Sequence, residues 1–380
     1  MAKKLLFVVN EAIFFLSHRL PLAEAARRKG YDVHIATTEG TGVQKIKDLK
    51  FTHHLLPLSR SGRNPIKEIV LIISILNLFR KLQPDLVHLV TIKPVLYGGI
   101  AARLTKINGV ISAISGMGFL FVERAGGLKL YLLRNMVLFL YRFAMGHPNQ
   151  KVIFQNSSDA NTLVTSGYVK KNKTCLIRGS GVTLENYHFV PEPSGIPVVV
   201  MASRLLSDKG VNEFVDAARI LRSRSVNARF MLIGTPDPGN PESVTESLVN
   251  EWQAEGVIEY LGFQSDIANI FSKSHIITLP SYREGLPKVL IEAAACGRAV
   301  VTTDTPGCRD AIEPNVTGLL VPPRDAKALA EAINCLINDT RLRERMGKAG
   351  RSLAEREFGI NKVVTAHLDI YNELAMKKNI

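Results

Sequence analysis

The chain has 380 residues, 46% hydrophobic and 22% charged, which suits two folded domains of roughly 150 to 200 residues and excludes a disordered chain. Its formal charge of +14 is lopsided: residues 1–150 hold 21 Lys plus Arg against 8 Asp plus Glu, and the remainder hold 27 against 26. That asymmetry predicts an anionic partner for the N-terminal half, nucleic acid or the anionic face of a membrane, while four scattered cysteines with no CxxC pair argue against a metal module and for reduced cytosolic thiols.

The opening MAKKLLFVVNEAIFF places two lysines before an apolar run, but Asn10 and Glu11 interrupt the run and no small-residue cleavage site follows. A buried first strand is expected there instead of a signal peptide. No segment reaches about 18 uninterrupted apolar residues, so a spanning helix is not expected. The loop Asn10–Arg19 then carries His18 and Arg19 at an apolar helix entry, a pair able to bind a pyrophosphate beside a cleft or to sit on a solvated helix start after Ser17.

Short apolar runs at Leu5–Val9, Val33–Thr37, Leu86–Val90, Val110–Ser115 and Lys151–Gln155 alternate with helical segments such as Leu20–Lys29 and Pro65–Leu82. Continuous apolar strands between helices predict a parallel sheet covered on both faces. The helical segments Ile69–Phe79, followed by Arg80–Lys81, and Leu128–Met145, with Lys129, Arg134 and Arg142, read as apolar faces with basic rims. Core helices with solvated edges explain them equally well.

The stretch Val190–Pro197, VPEPSGIP, reads as a linker. The α/β alternation then restarts, with strands at Pro197–Met201, Arg229–Gly234, Ile258–Leu261, Ile276–Pro280, Ala299–Thr303 and Gly318–Val321 and helices between them. The expected fold class is therefore α/β with two doubly wound Rossmann-like domains, 1–189 and 198–361, joined by 190–197, and a final helix 362–380 that crosses back to the first domain. In open parallel sheets ligands sit at the carboxyl ends of strands, so both domains are expected to face a shared cleft.

Two segments of the second half carry chemistry. In MASRLLSDKGV, residues 201–211, Arg204 and Lys209 occupy a strand-to-helix loop, where a guanidinium fork and an ammonium point charge suit a diphosphate, although basic loop residues are often merely solvated. In LPSYREGLPKVLIEAAACG, residues 279–297, Glu284 and Gly285 follow a strand and Pro287 opens a helix whose N-terminal N–H groups suit a phosphate. Glu292 lies eight residues beyond Glu284, so two carboxylates flank that helix start and can accept hydrogen bonds from sugar hydroxyls.

With these segments the chain resembles the family 4 glycosyltransferases, retaining enzymes of the GT-B architecture. The resemblance runs over essentially the full length and is strongest at residues 197–325. It implies that Arg204 and Lys209 neutralise the diphosphate of a UDP-sugar donor, that Glu284 contacts the transferred sugar, and that Glu292 binds the ribose. It further implies backbone N–H groups from Gly285 and Leu286, a base site at Gly234, and a wrap around the base by Gly262, Phe263 and their neighbours to Ser265. His275 stands where many members have Asp, and its place at a helix end before a strand reads as structural.

The glycine loop SGMGFLF, residues 115–121, is a poor dinucleotide fingerprint because no third glycine follows in register. It resembles instead the loop of the branch that acts on polyprenyl-diphosphate-linked sugars, including N-acetylgalactosaminyl and N-acetylglucosaminyl transferases of bacterial glycan assembly. By that resemblance Gly116 and Gly118, with His18 and Arg19, bind an undecaprenyl-diphosphate-linked saccharide, while the one-sided net charge turns the N-terminal domain toward the anionic inner surface of the plasma membrane. No Asp-x-Asp motif occurs, and neither a metal nor a cofactor is expected. A UDP-sugar 2-epimerase of the same architecture is the alternative, whereas a nucleic-acid partner leaves the Arg/Lys/Glu set unexplained.

Overall fold

The computed structural model of the chain describes residues 2–58, 65–116 and 128–376. They form two compact units, Met1–Ser180 with Val363–Ile380, and Gly181–Lys362. Sorted by unit, the sequence has 28 basic and 11 acidic residues in the first and 20 and 23 in the second, net +17 and −3.

The first unit is a parallel sheet of β1 (Lys4–Val8), β2 (Asp32–Thr37), β3 (Thr52–Leu55), β4 (Leu86–Val90), β5 (Gly109–Ile114), β6 (Gln150–Phe154) and β7 (Thr174–Leu176), in the order β3-β2-β1-β4-β5-β6-β7. Side chains alternate between faces along each strand. Leu6, Val8, Val87, Leu89 and Val152 enter one apolar core, and Leu5, Phe7, Leu86, Val90 and Ile153 enter another on the opposite face. This two-sided burial is why the strands read as unbroken apolar runs. The C-terminal helix Ile360–Met376 supplies Val363, Ile370, Tyr371 and Leu374 to the second of these cores.

The second unit is a parallel sheet of β8 (Val198–Ala202), β9 (Arg229–Ile233), β10 (Glu259–Gly262), β11 (Ile276–Leu279), β12 (Ala299–Thr303) and β13 (Gly318–Val321), in the order β10-β9-β8-β11-β12-β13. The helix Val211–Ser223 buries Val211, Phe214, Val215, Ala218 and Leu221 at helical spacing. In both sheets the strand order turns outward from the first strand, at β1/β4 and β8/β11, which places ligand-binding loops at those carboxyl ends.

Several elements differ from the sequence reading. The expected loop Asn10–Arg19 is a helix, Ala12–His18, followed directly by a second, Leu20–Arg28. The break falls at Arg19 because Pro21 has no N–H to continue the ladder and its ring crowds the carbonyl of Ser17. The proline-rich stretch 190–197 lies within the second unit. It is held there by Arg298 donating to the Val190 carbonyl, by the Glu192–Arg343 pair at 2.8 Å, and by His275 Nε2 at 2.9 Å from the Pro193 carbonyl. His275 Nδ1 also accepts from Val198 N–H, so this buried ring is fully used structurally, and burial lowers its pKa. Pro287 is the N-cap of the helix Lys288–Ala295 and precedes its first turn.

Among the described residues no helix is long and apolar enough to cross a membrane. The helix Pro65–Leu82 buries Leu71, Ile75 and Phe79 but exposes Ile66, Ile69, Val70 and Ile73 along one stripe, with Lys67, Arg80 and Lys81 also exposed. Phe139, on the helix Leu128–Ala144, is exposed as well.

Candidate functional site

In the second unit the chain leaves β8, makes one short turn at Ser207–Lys209, and enters the helix Val211–Ser223 through Gly210 at φ +77°. A Cβ at Gly210 would lie 2.2 Å from the Pro280 carbonyl oxygen, so only glycine lets the end of β11 close on this turn. The two loops are then laced together. Tyr282 N–H and the Ser281 hydroxyl both donate to the Asp208 carbonyl, at 2.9 and 3.1 Å. The Tyr282 hydroxyl donates to Glu213 Oε1 at 2.6 Å while the Arg324 guanidinium lies 4.6 Å from the centre of its ring.

This lacing brings Lys209 Nζ to 2.6 Å from Glu284 Oε1, both side chains largely shielded from water. A second glycine supports the carboxylate loop. Gly307, at φ +83°, passes so close beneath it that a Cβ would lie 2.4 Å from the Glu284 carbonyl oxygen. Burial raises the pKa of the adjacent Asp208, against the pull of Lys209, and among the described residues its Oδ1 is buried without a hydrogen-bond partner. Glu213 Oε2 is buried and unpartnered in the same sense.

The other expected donor-side residues divide. Arg204 does not join Lys209: its side chain is 47% exposed and pairs with Asp237 at 3.0 Å. Glu292 is buried, accepting from the Tyr187 hydroxyl at 2.6 Å and lying 3.3 Å from Lys288 Nζ. The phenol beside that carboxylate has its pKa pushed up, first by burial and then by Glu292. Gly285 is buried and the Leu286 side chain enters the core. Gly234 N–H donates to the Gly262 carbonyl at 2.8 Å, which joins the two expected base-site positions, and Phe263 beside them is 75% exposed.

In the first unit His18 and Arg19 are separated. His18 stacks on Phe14 at 4.1 Å and contacts the Ser17 hydroxyl at 2.6 Å, while Arg19 is buried and donates to the His18 carbonyl. Burial lowers the Arg19 pKa to about 10. His88, His367 and Tyr371 are interior as well, with His88 Nδ1 2.5 Å from the Tyr371 hydroxyl. Burial, then His367 and Arg19, depresses His88, and burial with Arg19 brings His367 down to about 3. Gly116, at φ +129°, follows β5 and lines an apolar recess with Thr91, Ile92, Val95, Ile114, Tyr141 and Leu163. Gly118 lies outside the described residues.

Sequence reasoning missed Tyr187, Asp208, Glu213, Asp237, Tyr282 and Gly307. Only Asp208 carried a local signal, lying next to Lys209. Among the described residues no group of three or more His, Cys, Asp or Glu is placed to hold a metal ion.

Known families and proteins resemble this chain over most of its length. Residues 185–353 match the family model described as glycosyl transferases group 1, and residues 4–156 match glycosyl transferase 4-like. An N,N'-diacetylbacillosaminyl-diphospho-undecaprenol alpha-1,3-N-acetylgalactosaminyltransferase of Campylobacter jejuni is 29% identical over 95% of this chain and 98% of its own length. A capsular polysaccharide biosynthesis glycosyltransferase of Staphylococcus aureus is 27% identical over 96% of this chain and 97% of its own. Among solved structures, the Anabaena HepE protein in complex with UDP-glucose has the same fold, with a TM-score of 0.74 at 18% identity over 97% of this chain and 99% of that one.

Proposed function

Because the chain belongs to the glycosyltransferases, with a group 1 module following a 4-like module, we propose that it moves an N-acetylhexosamine from a UDP-sugar to an undecaprenyl-diphosphate-linked saccharide during bacterial glycan assembly. The observation that carries the reading is the shielded Lys209–Glu284 pair at the switch point of the second sheet. A cation and a carboxylate held side by side match the two ends of a sugar diphosphate, one for the charge that develops on the leaving group and one for the sugar hydroxyls. The full-length similarity to the Campylobacter enzyme, whose name gives a diphospho-undecaprenol acceptor and an N-acetylgalactosaminyl group, supports the acceptor class and the sugar.

In this reading Lys209 and Arg204 take the diphosphate, Arg204 exchanging Asp237 for phosphate, and Glu292, pre-oriented by Tyr187, takes the ribose. Gly285 and Leu286 contribute backbone, and Gly234, Gly262 and Phe263 hold the base. Transfer proceeds with retention of anomeric configuration, and the departing diphosphate assists removal of the acceptor proton. His18, Arg19, Gly116 and Gly118 belong to the acceptor side, Arg19 as a buried support. The epimerase alternative has no support among the relatives described above, which are transferases.

The first unit is the membrane-facing one. Its net +17 and the exposed stripe Ile66, Ile69, Val70 and Ile73 suit the anionic cytoplasmic leaflet, where each basic residue near the surface contributes about 1 kcal/mol. A turnover screen of UDP- and GDP-sugars against polyprenyl-diphosphate-linked monosaccharides, read by mass analysis of the lipid, tests the central claim. A lipid longer by one N-acetylhexosamine is expected. An epimerised nucleotide sugar without released UDP would sink it.

A further inference from the structure

The carboxyl ends of β1, β4 and β5 stand side by side in the first sheet, with Val8 opposite Leu89 and Val90 opposite Ala113. Immediately beyond them come Asn10, Thr91 and Ser115. Each has a side-chain oxygen, Asn10 Oδ1, Thr91 Oγ1 and Ser115 Oγ, that is buried and has no hydrogen-bond partner among the described residues. Buried polar groups are paired in the great majority of cases, so three orphans on three neighbouring strand ends call for an occupant.

The backbone at this place is also held away from its preferred conformations. Thr91 is β-branched yet has φ +75°, and its N–H still donates to the Ala113 carbonyl at 3.2 Å, which continues the β4–β5 ladder. A β-branched residue in the left-handed region is a true outlier, of the kind that collects at ligand sites. Thr91 and Gly116 also line a small apolar recess together with Val95, Ile114 and Leu163.

The chemistry of the three groups selects the ligand. All are neutral, two hydroxyls and an amide, and the nearby Lys93 is already engaged by Glu68 at 2.6 Å. Such a set suits ring hydroxyls, which both donate and accept, better than it suits a dianionic diphosphate. We propose that Asn10, Thr91 and Ser115 form a hydroxyl-reading site for the terminal sugar of the acceptor. This rests on the transferase reading above and assigns the acceptor's specificity to polar side chains at three strand ends, beyond the glycines themselves.

Three variants, Asn10→Ala, Thr91→Val and Ser115→Ala, are assayed with a polyprenyl-diphosphate-linked monosaccharide and with the same lipid carrying single-deoxy sugars. In the wild type at least one deoxy acceptor should be poorer by about tenfold or more in kcat/KM, since a site built around a hydroxyl leaves polar groups unpaired without it. One variant should lose that discrimination while its donor KM and its circular dichroism stay at wild-type values. Thr91→Gly, free of the positive-φ strain, should gain thermal stability and still lose acceptor discrimination. Unchanged preference for every deoxy acceptor in all three variants would overturn the proposal and leave an internal water as the occupant, as would a change confined to donor KM. Absence of lipid product in the wild type would instead overturn the transferase reading.

Discussion

The two units share a topology and hold their candidate ligand-binding side chains differently. In the second, each candidate ligand-binding charge has a protein partner: Lys209 has Glu284, Arg204 has Asp237 and Glu292 has Tyr187. In the first, Asn10, Thr91 and Ser115 are buried with oxygens unpartnered among the described residues, and Arg19 is a buried cation whose Nε is likewise unpartnered. In the proposed function the second unit meets its ligand by exchanging partners and the first by supplying partners to groups that have none. Exchange favours charged ligands that compete electrostatically, and filling favours neutral ligands matched in shape.

The largest expected effect breaks the exchange side. Lys209→Ala removes the cation and leaves Glu284 shielded and unpaired, and kcat/KM for the sugar nucleotide should fall by about 100-fold or more with the fold intact. Near-wild-type rates at saturating donor would end the donor-site assignment. Tyr187→Phe is subtler. It deletes one hydrogen bond to a buried carboxylate, and a rise of about tenfold in donor KM with little change in kcat is expected. A fall in kcat alone would place Glu292 at the reacting centre instead of at the ribose.

The charge contrast gives a smaller effect. Ile69→Glu with Ile73→Glu on the exposed face of Pro65–Leu82 should cut sedimentation with anionic vesicles severalfold at low salt and spare turnover of a short-chain, water-soluble acceptor. Binding indifferent to lipid charge would contradict it. The smallest effect is on pH. His88 and His367 have folded-state pKa values below the unfolded one, so the unfolded chain binds more protons between about pH 6.5 and His367's folded pKa of about 3. Stability is therefore fully present above about pH 6.5 and declines as pH falls through that window, by at most about 1.4 kcal/mol per pH unit for each histidine. Thermal melts from pH 7.5 to 5 should show the decline, and His367→Gln should flatten it.

The same contrast explains what could be read from sequence. Central strands buried on both faces announced themselves, and the helix Pro65–Leu82 has the limits its pattern gives. The edge strands Thr52–Leu55 and Thr174–Leu176 did not, because short, partly exposed strands are stabilised by their neighbour more than by their own residues. The helix Thr340–Leu353 was hidden by its charge, with Met346, Gly347, Gly350 and Leu353 forming only a thin buried stripe. On the donor side Lys209, Glu284 and Glu292 were visible as residue types in spaced segments. The partner of Glu292 was not, since Tyr187 lies 105 residues before the carboxylate it orients and nothing local links the two. The strained Thr91 leaves no trace in composition or periodicity at all.

The Lys209–Glu284 contact has a consequence for turnover. Lys209 and Glu284 neutralise each other, so a ligand that claims only one strands the other. A nucleoside diphosphate alone would draw off Lys209 and leave Glu284 exposed to an unfavourable field, and a free sugar would do the reverse. In the proposed site the intact sugar nucleotide satisfies both at once. In the proposed reaction, breaking the glycosidic bond to the diphosphate therefore splits the one molecule that fits, and the pair can re-form as the spent nucleotide leaves.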